Sequence, residues 1–214
     1  DGNLLKRISD EADIQILKDA GILKVSREHF RGCVVFPIVD DNGLITEIYG
    51  RSIDANNDIK HIYLPGEHKG IFNPKALVSK EIFLCESIID ALSLMTLGYR
   101  NVTSAYGVNG FTDEMLSLFE AEKIEKVIFL FDNDSAGKTA SVKIAERLKG
   151  KNIISHRVNL PVKDVNALIR KPGNVAEEFQ ALFEKSEILW EPQAESSSLL
   201  VAEVETEKAS EKEH

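Results

Sequence analysis

The stretch IFLFDNDSAGKTAS, residues 128–141, decides how this chain is read. Its end, Gly137-Lys138-Thr139, invites a phosphate-binding P-loop. Its start, an apolar run closing on Asp132-Asn133-Asp134, invites a buried strand that ends in two carboxylates. A P-loop needs G-x-x-x-x-G-K-[ST], which puts glycine at position 132, where this chain has Asp132. IFLFD would also have to act as a Walker-B-like strand overlapping the loop, whereas P-loop enzymes keep the two on separate strands. The strand with its carboxylates is the reading that stands.

The surroundings of this strand repeat its pattern. EIFLC (81–85), NVTSA (101–105), KVIFLF (126–131) and IISHRVNL (153–160) read as short buried strands. Helical segments follow over 87–97, 112–122, 136–149, 164–171 and 174–187, with Thr112 a plausible cap and Gly98, Gly150 and Pro172-Gly173 as stops. Such alternation predicts an α/β fold, a parallel sheet flanked by crossover helices. Upstream the pattern differs. A helix is expected over 9–20, then strands over 33–39 and 44–53 joined at the turn signal Asp41-Asn42-Gly43. Residues 54–80 read as irregular and hold Lys60, His61, His68, Lys69, Lys75 and Lys80, the most basic neighbourhood of the chain. The expected organisation is a smaller mixed α+β subdomain over 1–80, the α/β domain over 81–187, and an acidic linker or disordered tail over 188–214.

The chain has 214 residues, is 43% hydrophobic and carries a net charge of −9. That balance suits a globular core without disulfide support and argues against a purely electrostatic nucleic-acid binder. The charge is uneven, because the nine Glu and three Lys from Glu184 to His214 carry −6 of it. No apolar run of about 18 residues or signal-peptide pattern is present, so a cytoplasmic protein with no membrane contact is expected. The start at Asp1, without Met, suggests a processed or excised piece. Cys33 and Cys85 stand singly in apolar runs, so they read as two buried thiols rather than a zinc site.

In an open parallel sheet, ligands bind beyond the carboxyl ends of the strands. Those ends carry Glu86 with Asp90 four residues on, then Asp132 and Asp134, then Asp164 past Leu160-Pro161. Each Asp taken singly also fits a helix cap. Together they would repel unless cations intervene. Oxygen donors without His or Cys favour Mg²⁺ or Mn²⁺. Such ions serve phosphoryl transfer or phosphodiester hydrolysis.

Glu86-Ser87-Ile88-Ile89-Asp90-Ala91 resembles the E-G-x-x-D-A motif of the TOPRIM domain, with serine in place of its glycine. Asp132-Asn133-Asp134-Ser135-Ala136-Gly137 is similar to the D-x-D-x-A-G form found in bacterial and phage primases. Lys163-Asp164-Val165-Asn166 resembles the K-D-x-N stretch of the phage-type enzymes, and Tyr106-Gly107-Val108-Asn109-Gly110 their glycine-containing loop. Upstream, Phe30-Arg31-Gly32 with Val34 to Ile38, Gly50-Arg51, His61 to Gly66 and His68 to Phe72 resemble segments of the primase catalytic core in the family's order. Lys60 or His61 stands nearest the family's lysine before Y-L, displaced by one or two positions. The resemblance spans roughly residues 10 to 185. The family's zinc-binding module and its helicase or helicase-binding module are not in this sequence.

The resemblance implies synthesis of short RNA primers on single-stranded DNA from ribonucleoside triphosphates, with Mg²⁺ or Mn²⁺ and no zinc within this chain. Asp132, Asp134 and Asp164 are implied as metal carboxylates, and Glu86 as a metal ligand or the group that helps deprotonate the 3′-hydroxyl. Asp90 is implied in catalysis, as an orienter or further ligand. Arg51, Lys60, Lys69 and Lys138 are implied to contact nucleotide or template phosphates, and a replicative helicase is implied as a partner through the missing regions. TOPRIM-type nuclease or topoisomerase-like cleavage, and a non-catalytic nucleic-acid-binding module, are the alternatives.

Overall fold

A computed structural model describes residues 4–193 except 26, 41 and 55. Asp41 of the expected turn, and the expected tail from residue 194 onward, lie outside the described residues.

The α/β half is built on two strands that are apolar on both faces, β6 (Glu81–Cys85) and β8 (Lys126–Leu130). Side chains alternate across a strand, and here both faces are covered. Ile82, Leu84, Val127 and Phe129 point to a core formed with Met115, Phe119, Ile144 and Leu148. Phe83, Cys85, Ile128 and Leu130 point to the opposite core with Ala91, Leu94, Val165, Leu168 and Phe179. The helices α4 (Asp113–Ala121) and α5 (Ser135–Lys149) therefore cover one face. The other face is covered by α3 (Ile88–Thr96), α6 (Val165–Ile169) and α7 (Val175–Glu184).

β7 (Val102–Ser104) pairs in parallel with β6 on one side and β8 pairs with it on the other. β9 (Ile154–Arg157) extends the sheet in parallel beyond β8. A fifth strand, β10 (Glu187–Trp190), adds to β9 in antiparallel sense. The sheet thus runs to Trp190, three residues beyond the edge expected at 187. These four residues stand where the composition turns acidic, and so short a strand shows little periodicity.

The N-terminal part holds α1 (Leu4–Arg7), α2 (Glu11–Asp19) and a short hairpin of β1 (Leu23–Lys24) and β2 (Arg27–Glu28). Asp10 caps α2, accepting from the Ala12 N–H at 2.7 Å. The expected hairpin is present as β3 (Cys33–Val39) and β4 (Ile45–Ser52). The span read as irregular contains a third strand of that sheet, β5 (His61–Tyr63), and a 3-10 helix at Pro74–Val78. Three residues are too few to show a period of two. Ile38 of β3 and Tyr49 of β4 pack on Ile88 of α3, so this sheet docks on the helix that follows Glu86. Cys85 is buried, but Cys33, expected buried, is partly exposed at the start of an edge strand.

Gly137 explains why the carboxylate loop can turn so sharply into α5. A Cβ at this position would lie 2.3 Å from the Asp132 carbonyl oxygen, closer than any side chain tolerates. We expect Gly137→Ala to lower the unfolding free energy by about 1–3 kcal/mol, the usual cost of overpacking. Urea denaturation checks this, and an unchanged midpoint would show that α5 needs no such close approach.

Candidate active site

Strand order reverses at β6, where β7 lies to one side and β8 to the other. Connections leave such a point toward opposite faces and open a crevice at the strand ends. The register pairs Cys85 with Leu130. Glu86 and Asp132 therefore emerge side by side, and Glu86 Oε2 accepts the Asp132 N–H at 3.2 Å.

The neighbouring loop is tied to the same edge. Asn133 donates its N–H to the Lys163 carbonyl at 2.7 Å and its side-chain amide to the Leu160 carbonyl at 2.7 Å. Asp164 is thereby held near Asp132, with Lys163 between them: its Nζ lies 3.3 Å from Asp132 Oδ2 and 4.0 Å from Asp164 Oδ2. Buried Asp90 accepts from the Ser87 hydroxyl at 2.5 Å and from the Asn166 N–H at 3.0 Å. Both of its oxygens are engaged, so it clamps the start of α6 to α3.

Glu86, Asp90, Asp132 and Asp164 line one cleft of about 200 Å³, together with Ser87, Asn166 and Lys163. Arg51 and His61 from the N-terminal sheet, with Lys60 just before β5, form its other wall. Beyond His61 lies a larger concavity of about 650 Å³ that includes Lys24, Arg27, His29 and Arg31. The chemistry belongs to the smaller cleft, where the carboxylates are.

The electrostatics reflect crowding. Burial, then the Asp132 carboxylate, pushes Glu86 up to about 7 despite the Asp132 N–H it accepts. Burial raises Asp90 as well. Burial raises Asp132, and the Lys163 ammonium opposes that rise. Reciprocally, Asp132 raises Lys163.

Asp134 stands apart from the cleft lining. It is exposed and caps α5, its Oδ1 accepting the Gly137 N–H at 2.8 Å. Asp164 likewise caps α6, accepting the Ala167 N–H at 2.6 Å. The cap reading and the cleft reading thus hold together for Asp164, since one oxygen caps while the other faces Lys163.

The expected basic neighbourhood divides. Arg51 and Lys60 reach the cleft, while Lys69 borders a separate concavity beside Asn109 and Glu114. Lys138 lies on the exposed face of α5. Among the described residues, no three His, Cys, Asp or Glu side chains are already arranged to hold a metal ion. The donor chemistry nevertheless fits a hard cation, because an ammonium already sits between two of the carboxylates.

Three contributors escaped the sequence reading as site groups. Lys163 was visible only as part of a motif, and its placement between Asp132 and Asp164 depends on the Asn133 tie. Arg157, at the end of β9, is buried at 4% exposure with Nη2 3.5 Å from the Asp132 carbonyl oxygen. Its position inside a strand disguised it as an ordinary sheet residue. The cluster Lys24, Arg27, His29 and Arg31 carried a legible signal in its density of basic residues.

Residues 83–169 match the Toprim-like family. The similarity reaches well beyond these residues. The chain is 27% identical over 197 residues to a DNA primase of Listeria innocua, covering 83% of this chain and 30% of that protein. It superposes on the E. coli primase catalytic core with a TM-score of 0.73 and 26% identity, over 87% of this chain and 64% of that one. A DnaG primase catalytic domain bound to single-stranded DNA gives 0.72 at 25% identity, with 87% and 63% covered. The chain therefore has the architecture of a bacterial DNA primase catalytic core. It spans less than a third of the length of the Listeria relative.

Glu86 supplies a test of this geometry. A carboxyl raised from 4.5 to about 7 on folding stabilises the fold fully below pH 4.5, and that contribution is lost as pH rises through 7. Glu86→Gln keeps an acceptor for the Asp132 N–H but cannot ionise. In a chelator at pH 8 the variant is expected to melt about 2 °C or more above wild type, with the gap closing by pH 5. A gap independent of pH would remove the crowding argument.

Proposed function

We propose that this chain synthesises short RNA primers on single-stranded DNA by divalent-metal-dependent nucleotidyl transfer. One observation carries the reading: carboxylates from three connections of a Toprim-like sheet share one cleft with Arg51 of a second sheet and Lys60 just before its last strand. Carboxylates on one wall and cations on the other suit a triphosphate whose charge a divalent metal would help to neutralise. The similarity to primase cores extends over 87% of this chain.

Asp132 and Asp164 in the cleft, with Asp134 from outside its lining, would hold Mg²⁺ or Mn²⁺. When bound, the ion supplies charge neutralisation on the triphosphate and favours ionisation of the attacking hydroxyl. The chain's own groups do the rest. Glu86, poised near neutrality by burial and by Asp132, is placed to take the proton of the primer 3′-hydroxyl as it attacks the α-phosphorus. Pyrophosphate leaves toward Arg51 and Lys60, which neutralise its charge. Asp90 fixes Ser87 and Asn166 at the cleft, each of its oxygens accepting one of these bonds. The Lys24, Arg27 and Arg31 concavity, contiguous through His61, would take phosphates of the template strand. Lys69 and Lys138 stand outside the cleft and are assigned to more distant phosphate contact. A replicative helicase would engage regions that are not in this sequence. Among the described residues no helix is long and apolar enough to cross a membrane.

The test is incubation with single-stranded DNA, labelled ribonucleotides and Mg²⁺ or Mn²⁺, with products resolved on a sequencing gel. Wild type is expected to give short template-dependent RNA, and Asp132→Ala to reduce it by at least about 100-fold, on the scale of losing a key electrostatic contact in a catalytic site. DNA cleavage without synthesis would replace this reading with a nuclease.

A further inference from the structure

The antiparallel register of β4 and β5 sets Arg51 directly opposite His61. Tyr49, two residues before Arg51, shares its face of the sheet. The three side chains form a chain of hydrogen bonds. Arg51 Nη1 lies 2.6 Å from His61 Nε2 and, more distantly, 3.5 Å from Nδ1, while Tyr49 Oη lies 2.8 Å from His61 Nδ1. Tyr49 is fully buried, and its ring packs among Phe36, Tyr63 and His61.

Directionality follows from the inventory of donors. A guanidinium only donates, so Nε2 of His61 must accept. The ring is then neutral with its hydrogen on Nδ1, which donates to the Tyr49 oxygen. A charged ring would have no lone pair for Arg51 and would repel it. Partial burial, the Arg51 guanidinium and Lys163 all push the imidazole toward the neutral form.

We propose that His61 is a positioning residue that aims the Arg51 guanidinium into the carboxylate cleft, where it receives the triphosphate of the incoming nucleotide. Tyr49 is the fixed point of this device. Its phenol cannot move without disturbing the contact between the N-terminal sheet and Ile88 of α3. His61 passes that fixity to Arg51, whose long side chain would otherwise lose freedom on binding. The inference rests on the primase reading for the identity of the ligand but not for the geometry of the coupling.

Two measurements decide it. Nitrogen NMR of the His61 ring is expected to show an unprotonated Nε2 and a protonated Nδ1 near neutral pH, with the Nε2 resonance moving in Arg51→Leu. Binding of ATP in the presence of Mg²⁺ is then compared across variants. His61→Leu and Arg51→Leu should each weaken ATP by about tenfold, and the double variant should be no weaker than either, since coupled residues are non-additive. His61→Gln, which retains an acceptor and a donor, should stay within about twofold of wild type. An Nε2-protonated ring, an Nε2 resonance indifferent to Arg51, or losses that multiply in the double variant would each overturn the inference. These failures are separable from failure of the primase reading. Absence of primer synthesis by wild type would sink that reading, while the ring resonances and the variant cycle would still judge the coupling.

Discussion

Glu86 and Asp132 are forced together by the parallel register of β6 and β8, and like charges so placed repel. Much of the local architecture is arranged to hold them there. Backbone N–H groups face the carboxylates at Glu86, Asp90, Asp134 and Asp164. Lys163 supplies a tethered positive charge between Asp132 and Asp164. Arg157 lies buried behind the Asp132 carbonyl. The packing on both faces of the sheet supplies the rigidity that these arrangements need, because helices on either side fix the strand ends from which the carboxylates hang.

The second wall is fastened by different means. Ile38 and Tyr49 dock on Ile88 by apolar contact. A polar tie reinforces this. Glu47, only 2% exposed, accepts the Leu64 N–H at 2.9 Å and meets His68 Nδ1 at 3.0 Å. His68 in turn stacks on Tyr106, which follows β7, and the Tyr106 hydroxyl donates to the Lys69 and Gly70 carbonyls. A buried carboxylate is tolerated only when its lone pairs are so occupied. Arg51, and Lys60 just before β5, can therefore line the carboxylate cleft from a sheet that is separate in topology yet firmly seated.

Sequence patterns exposed what depends on nearest neighbours along the chain. The apolar runs at 81–85 and 126–131, the caps at Thr112 and Asp164, and the Asp-x-Asp turn were legible because each is a local choice of residue type. β5 and β10 escaped because they are short and draw their order from a partner strand. Lys163 and Arg157 escaped as site groups because charge pairing across loops has no periodicity. Lys69 and Lys138 show the converse, since being basic and close in sequence to a motif does not bring a side chain to the cleft.

The antiparallel sense of β10 has an architectural consequence. Glu187 pairs beside Arg157 at the carboxylate end of the sheet, whereas Trp190 pairs beside Ser155 nearer the opposite end. The backbone is thus walked away from the chemistry before it leaves the sheet, and the His156–Glu191 contact of 2.6 Å pins its exit. The chain therefore leaves the sheet from the side remote from the carboxylate cleft.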